Sequence, residues 1–348
     1  MAIKRIEIKD FLMFTGDFAV DFCPGVNVII GGNATGKTTL IKILRASYDK
    51  SIRVVSEMPP EDLEIDFDKK WLNFHSVGLS KYFPYTGYDF KDLLLQTINE
   101  GITVCIADVL NKRNKGRKLD ECQYMVKTIG NKQVTDIVYI PVNDMLSHSE
   151  GLLALYNLRK LPFDKTHIDI LSMASMPETR DVTSNAKKVL NILEKTIGGT
   201  VIVENDVFFI LHKDGKKIPF TLTASGYKKL GLLWKLIRNG LLEPGSVLFW
   251  DEPENSLNPE YVPVLVDILL ELSRNGVQIF IATHSELLAS YFAVNRNEME
   301  EVLFVSLFKE GDIINTNSSD RFDWLIPNNL TDEPVKLYEK QIERGLGK

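Results

Sequence analysis

Gly31-Gly32-Asn33-Ala34-Thr35-Gly36-Lys37-Thr38 decides the reading of this chain. It has the form Gly, four residues, Gly-Lys-Thr, and both flanks suit it. Before it, Val26-Asn27-Val28-Ile29-Ile30 is a short apolar run of the kind that forms a buried strand. After it, Thr39, Leu40, Ile43 and Leu44 are apolar mostly at helical spacing. A strand, a glycine-rich turn and a helix start make an anion cradle. The glycines let the backbone wrap, the first amides of the helix point at the anion, and the helix dipole favours negative charge. In such a P-loop, Lys37 reaches the β- and γ-phosphates and the Thr38 hydroxyl holds Mg²⁺. Gly31 to Thr39 are therefore the expected phosphate-binding residues.

Val247-Leu248-Phe249-Trp250-Asp251-Glu252-Pro253-Glu254 supplies a second half. Four apolar residues read as a buried strand with two carboxylates at its C-terminal end, where open α/β sheets bind ligands. Asp251 fits a Mg²⁺ ligand, and Glu252 fits the base that orients and polarises an attacking water. Phosphoryl transfer asks mainly for positioning and charge stabilisation, so two carboxylates beside Mg²⁺ suffice. A further apolar strand, Val277 to Ala282, ends in Thr283-His284-Ser285. His284 would face the γ-phosphate or the attacking water, or it is simply a histidine at a helix start. Ser225-Gly226 opens a helix carrying Leu230, Leu233, Leu236 and Ile237. That pair reads either as an ordinary N-cap or as a second anion site.

The composition fits a chain with a sizeable core. The 348 residues are 44% hydrophobic and 25% charged, enough for one large domain or two smaller ones. Net charge is −6, so no global basic field favours nucleic acid. The dense basic run Asn111-Lys112-Arg113-Asn114-Lys115-Gly116-Arg117-Lys118 reads as a solvated hairpin tip or a contact for nucleic acid or an acidic partner. It lacks interleaved aromatics for base stacking. Cys23, Cys105 and Cys122 match neither a zinc site nor a disulfide framework, which points to reduced thiols in the cytoplasm. Met1 to Ile8 alternates like a strand and has no signal-peptide core. No apolar run approaches the roughly 18 residues of a membrane-spanning helix, and no heptad array suggests a coiled-coil arm.

Further elements follow from the same patterns. Asp17 to Phe22 reads as a strand with Phe18, Val20 and Phe22 on one face. The P-loop helix is expected to end near Tyr48. Ile102 to Val109 and Gln123 to Ile129 read as strands of an antiparallel lobe, and Ile137 to Ile140 as a compact strand stopped by Pro141. Residues 142–197 read mainly helical, with Gly198-Gly199 closing the last helix before short strands from Val201 to Phe220. Asn258 and Pro259 are expected to begin the helix that buries Leu265, Ile268, Leu269 and Leu272, with Pro263 loosening its first turn.

The order P-loop, Ser-Gly helix, Asp-Glu strand, His strand resembles ABC-type ATPase heads of the SMC-like and RecF-like proteins. It looks closer still to the compact prokaryotic AAA-type ATPases of the overcoming-lysogenization and abortive-infection group, over nearly the whole chain. Gly31 to Thr38 matches Walker A, Asp251 and Glu252 match Walker B and the catalytic Glu, and His284 matches the switch His. Ala224-Ser225-Gly226 matches a degenerate signature. Tyr139 to His148 and Ile218-Pro219-Phe220 also look like that group. The chain departs from transporter ATPases in lacking the second Gly and the Gln of the signature. It reads Glu254-Asn255-Ser256-Leu257-Asn258 in the D-loop, and Asn143 or Asp144 stands where a Q-loop Gln is usual.

The resemblance implies an α/β P-loop NTPase with a mixed central sheet, an antiparallel β lobe and a helical signature lobe. It implies one ATPase domain over 1–348. The nucleotide-binding core would be 1–50 with 134–141 and 245–315, the antiparallel lobe 51–133, the helical and signature lobe 142–244, and the tail 316–348. It also implies ATP and Mg²⁺ as cofactors and a head-to-tail homodimer in which Ser225 and Gly226 of one subunit cap the γ-phosphate held by Lys37 of the other. About 30 to 40 residues follow the last core strand, too few for the fused nuclease of some relatives, so effector activity is expected in a separate partner, as in phage defence. A DNA-repair ATPase and a non-hydrolysing ATP sensor are the competing functions.

Overall fold

The computed structural model describes residues 3–11, 13–46, 93–98, 101–106, 124–130, 134–159 and 164–345. Strands β1 (Ile3–Phe11) and β2 (Phe14–Asp21) form a hairpin that leads into β3 (Val26–Gly31) and helix α1 (Lys37–Ala46). Next come β4 (Leu93–Ile98), β5 (Gly101–Ile106), β6 (Tyr124–Gly130) and β7 (Ile137–Ile140). Helices α2 (Leu152–Arg159), α3 (Lys165–Ala174) and α4 (Ser184–Ile197) precede β8 (Gly199–Glu204), β9 (Val207–His212) and β10 (Lys217–Pro219). Helix α5 (Ser225–Arg238) returns the chain to β11 (Val247–Asp251), α6 (Val262–Arg274), β12 (Gln278–Ala282) and α7 (Glu286–Asn295). The described chain closes with β13 (Val302–Glu310), β14 (Ile313–Ser319) and α8 (Asn329–Gly345).

The central sheet has the order β14-β13-β3-β12-β11-β7. All neighbours pair parallel except the antiparallel edge strand β14. Every residue of β3, β11 and β12 is buried. That is why these strands read as continuous apolar runs rather than alternating ones: interior parallel strands are covered on both faces. The alternation reappears in what each residue touches. Val26, Val28, Ile30, Leu248, Trp250, Ile279 and Ile281 share one core with the helical lobe. Ile29, Val247, Phe249 and Phe280 share the other with α1 and the β1–β2 hairpin.

Phe280 is the hub of that second core. Its ring stacks on Phe249 at 5.0 Å and meets the edge of Phe22 at 5.0 Å. It is fully buried. Phe280→Ala should therefore cost about 3–5 kcal/mol of folding stability, read as a lower denaturant midpoint at unchanged slope. A midpoint equal to wild type would mean that this core does not hold the sheet.

The antiparallel lobe is a five-stranded sheet, β2-β1-β6-β5-β4. Residues 1–50 were expected to belong with the nucleotide-binding core, but β1 pairs with β2 and β6, so this lobe takes strands from both sides of the P-loop. The strands expected over 102–109 and 123–129 are β5 and β6, and β4 adds a partner that the sequence reading lacked. Gln278 bolts this lobe to the central sheet. Its Oε1 accepts from Ile3 N at 2.8 Å, and its Nε2 donates to Ile3 O and Cys23 O at 2.7 and 2.8 Å. A buried amide needs such partners.

Helix α1 is tied to the helical lobe by Lys42 to Asp164 at 2.6 Å and by Arg45 to Asp169. Asp164 also caps α3, accepting from Thr166 N at 2.9 Å. Burial alone would raise the Asp164 pKa, but the bond and charge of Lys42 hold it down near 2. A short 3₁₀ turn over Pro259–Tyr261 separates the Asn258 cap from α6. Pro263 then falls in the first positions of α6, where its missing N–H is an orphan anyway, so it loosens nothing. Helix α8 lies at the surface, and none of its residues is buried. Asn111 to Lys118, Pro59-Pro60 and Glu61 to Asp66 lie outside the described residues.

Candidate functional site

Three sequence-distant motifs meet because β3, β12 and β11 are neighbours. Ala282 lies opposite both Ile29 and Asp251 in the register, so the P-loop, Thr283-His284 and Asp251-Glu252 leave the same edge of the sheet. Two glycines make the P-loop possible. Gly31 has φ +151°, and a Cβ there would stand 2.3 Å from Leu307 O. Gly36 has φ +94°, and a Cβ there would strike Met13 Sδ at 2.8 Å and Phe14 Cζ at 3.0 Å. No other residue type fits that approach between the loop and the β1–β2 turn.

Lys37 is buried, and its Nζ donates to Gly31 O at 2.8 Å and Gly32 O at 2.9 Å. Burial lowers its pKa to about 8, against the pull of Glu252, Asp251 and Glu254. The Thr38 hydroxyl donates to Asp251 Oδ1 at 3.1 Å, and the Tyr139 hydroxyl donates to Asp251 Oδ2 at 3.4 Å. Asp251 is buried, which raises its pKa, and no Lys or Arg pairs with it among the described residues. A hydroxyl and a buried carboxylate in contact, with no ion pair to the carboxylate among the described residues, form the donor set a hard divalent cation takes.

Glu252 has φ +47°, a left-handed backbone unusual for its type. Its N–H donates to Ala282 O at 2.8 Å, and its carbonyl accepts from Lys229 Nζ at 2.9 Å. Its carboxylate stands 3.8 Å from His284 Nε2. His284 is lowered in pKa, first by burial and then by Lys37, so its imidazole is neutral at neutral pH. Glu254 fixes its backbone: Oε1 accepts from Thr283 Oγ1 at 2.6 Å and from His284 N at 3.1 Å. Glu254 Oε2 is buried with no hydrogen-bond partner among the described residues.

Ser225 is not an N-cap. Ala224 occupies the cap position with no side-chain bond, and Ser225 is the first helical residue and exposed. That removes the ordinary-cap reading and leaves the first amides of α5 without a side-chain partner from the cap. Gly226 packs on the loop after Glu252, where an added Cβ would meet Leu257 Cδ1 at 3.1 Å. Asp144 turns toward the same helix: it accepts from Leu146 N at 2.8 Å and pairs with Lys228 Nζ at 3.5 Å. Asn33, Ala34, Thr38, Ser225 and His284 are all exposed, so the site is open to water.

Tyr139, Lys229 and Glu254 were not singled out as site residues by the sequence. Glu254 alone carried a signal, as the third carboxylate in Asp251-Glu252-Pro253-Glu254.

The fold is that of the P-loop NTPase class, with a mixed central sheet, an antiparallel β lobe and a helical lobe. Residues 139–290 match the family described as "AAA domain, putative AbiEii toxin, Type IV TA system", and residues 5–136 match a second family described as "AAA domain". The two matches fall on separate stretches of the chain. It is 24% identical over 160 residues to the glutamate/aspartate import ATP-binding protein GltL of Escherichia coli K12, covering 45% of this chain and 55% of that protein. The same figures hold for GltL of E. coli O157:H7, so the chain spans about half the length of the curated relatives it matches. Among solved structures it is similar to the SMC head domain from Thermotoga maritima, with 14% identity, TM-score 0.46, and coverage of 92% of this chain and 99% of that one. It is also similar to a nucleotide-free ATP-binding cassette from an ABC transporter, with 14% identity, TM-score 0.40, and 90% of each chain covered. Among the described residues no helix is long and apolar enough to cross a membrane.

Proposed function

We propose that this chain binds ATP with Mg²⁺ and hydrolyses it in the cytoplasm, in a site completed by a second copy, and that the ATP-gated dimer controls a separate effector protein. The observation that carries the hydrolase reading is the contact of Thr38 with Asp251, with Glu252 and His284 beside it. Gly31 to Thr39 cradle the phosphates, and Lys37 exchanges its bonds to Gly31 O and Gly32 O for phosphate oxygens. Thr38 and Asp251 hold Mg²⁺. Among the described residues no three His, Cys, Asp or Glu are grouped to cage a metal alone. Two protein ligands suit Mg²⁺, which takes the rest from phosphate and water. When bound, that ion neutralises phosphate charge. Glu252 orients a water and accepts its proton as the water oxygen bonds to the γ-phosphorus and the bond to the bridging oxygen breaks, giving ADP and phosphate. Neutral His284 donates to the γ-phosphate or to that water.

The exposure of Asn33, Thr38 and His284 supports the need for a second chain, because a site open to water holds charge poorly. Ser225 and Gly226 at the open start of α5 are the surface offered to the partner. The toxin–antitoxin wording of the matched family is the support for a controlled effector, and the place in phage defence rests on the motif resemblance alone.

The proposal sets a pH dependence. Lys37 sits near 8 in the free chain because of burial, and bound phosphates raise it again. Binding then takes up a proton above pH 8, so the affinity from Lys37 is complete below pH 8 and falls as pH rises past it. Phosphate release should require Mg²⁺ and stop in EDTA, while the ATP dissociation constant weakens roughly fivefold from pH 8 to 9. Turnover in EDTA, or an affinity flat over that interval, would contradict these assignments.

A further inference from the structure

Lys229 is one of the few lysines in the core, 9% exposed, on α5 one turn after Ser225. Residues four apart lie on one face of a helix, so Ser225 and Lys229 share a side of α5. Ser225 ends that side at the surface, and Lys229 ends it inside, on the carbonyl oxygen of Glu252 at 2.9 Å. The peptide it holds needs holding. Glu252 has φ +47°, which an L-residue keeps only when its surroundings impose it. On one side the sheet imposes it, through Glu252 N to Ala282 O at 2.8 Å. On the other side two donors share the Glu252 carbonyl: Asn255 N, at 3.1 Å, closes the local turn, and Lys229 ties that turn to α5. Gly226 gives the same helix a second seat, against Ser256 and Leu257 of the loop that follows. Helix α5 thus rests on residues 252–257 at two points one turn apart.

We propose that Lys229 is a positioning residue, which fixes the orientation of the Glu252 carboxylate from below and couples it to the seating of α5, the helix whose free end faces a partner. The coupling runs within one chain. A shift of the Ser225 end moves the ammonium that holds Glu252 O, so contact made at one site reaches the carboxylate of the other. This inference rests on the ATPase reading above for its consequence in turnover, though not for the clamp itself.

The test compares wild type, Lys229→Met and Lys229→Arg. Three quantities are read: phosphate release against ATP concentration, dissociation of a fluorescent ATP analogue, and hydrogen–deuterium exchange of the amides of 252–257. Lys229→Met should lose kcat by about 10- to 100-fold, since small misplacements of a reacting group have costs of that size. Its nucleotide dissociation constant should stay within about twofold of wild type while the 252–257 amides exchange faster. Lys229→Arg keeps a donor of similar reach and should regain part of the kcat and of the protection. The proposal is overturned if Lys229→Met turns over and exchanges like wild type. It is equally overturned if affinity and kcat fall together and Lys229→Arg is no better, which marks a purely structural lysine. Wild type that releases no phosphate would sink the ATPase reading instead. The exchange of 252–257 would then still decide whether Lys229 clamps the loop.

Discussion

Glu252→Gln should bind ATP as wild type does and release phosphate at least about a hundredfold more slowly. The substitution keeps the shape and removes the negative charge that, in the proposed reaction, orients and deprotonates water. It disturbs little else. The backbone bonds of Glu252, from its N–H to Ala282 O and from Lys229 and Asn255 N to its carbonyl, do not involve the side chain. The carboxylate is partly exposed, and it stands 3.8 Å from His284 Nε2. The phosphate cradle, Lys37, Thr38 and Asp251, is left whole. Affinity should therefore hold while kcat collapses, the pattern of an interaction made in the transition state. The trapped ATP state should also lengthen the life of the dimer, seen by light scattering or size-exclusion chromatography with ATP present. Equal turnover in wild type and Glu252→Gln would remove Glu252 from catalysis and leave an ATP-binding scaffold. Weakened binding instead would mean that Glu252 serves the cradle.

The site was legible in the sequence where one short stretch carries both the structural cause and the chemistry. Val26 to Thr38 is such a stretch: the apolar run gives a buried parallel strand, the glycines give the turn, and Lys37 and Thr38 follow by spacing alone. Val247 to Glu252 is another. Partnership in space was not legible. That β1 and β2 join β6 depends on hydrogen bonds between residues more than 100 apart, and strand alternation does not name a partner. β14 was missed because Ile313-Ile314-Asn315-Thr316-Asn317-Ser318-Ser319 is a polar edge strand, held by its ladder to β13 rather than by an apolar face. The apolar residues of α2 do not mark a buried face: Leu158 is 80% exposed and only Leu152 is buried. Lys229 stands in a Lys-Lys pair, and nothing in the neighbouring sequence marks it as buried. What makes it buried is the carbonyl and the carboxylates of a loop 23 residues on.

Lys37→Ala and Ser225→Arg should each be nearly inactive alone and should restore each other when mixed. Lys37→Ala removes the cation proposed to meet the phosphates. Ser225→Arg leaves its own P-loop intact and fills the start of α5, which is exposed and bears no cap. A twofold dimer with composite sites contains two of them, each using Lys37 of one chain and Ser225 of the other. In an equal mixture with free exchange, half of the dimers are mixed. Each mixed dimer holds one doubly damaged site and one intact site, so about a quarter of wild-type turnover should return. The reciprocal mixture sharpens the distinction. A chain carrying both substitutions has no intact half to lend, so with an equal amount of wild type every mixed dimer is dead, and wild-type turnover should fall by about half. Were Lys37 and Ser225 to serve the same site within one chain, the first mixture would stay inactive and the second would leave the wild-type contribution untouched. The two experiments thus move in opposite directions under the two geometries, and neither outcome depends on how stable the variant chains are relative to each other, provided both bind as dimers with ATP.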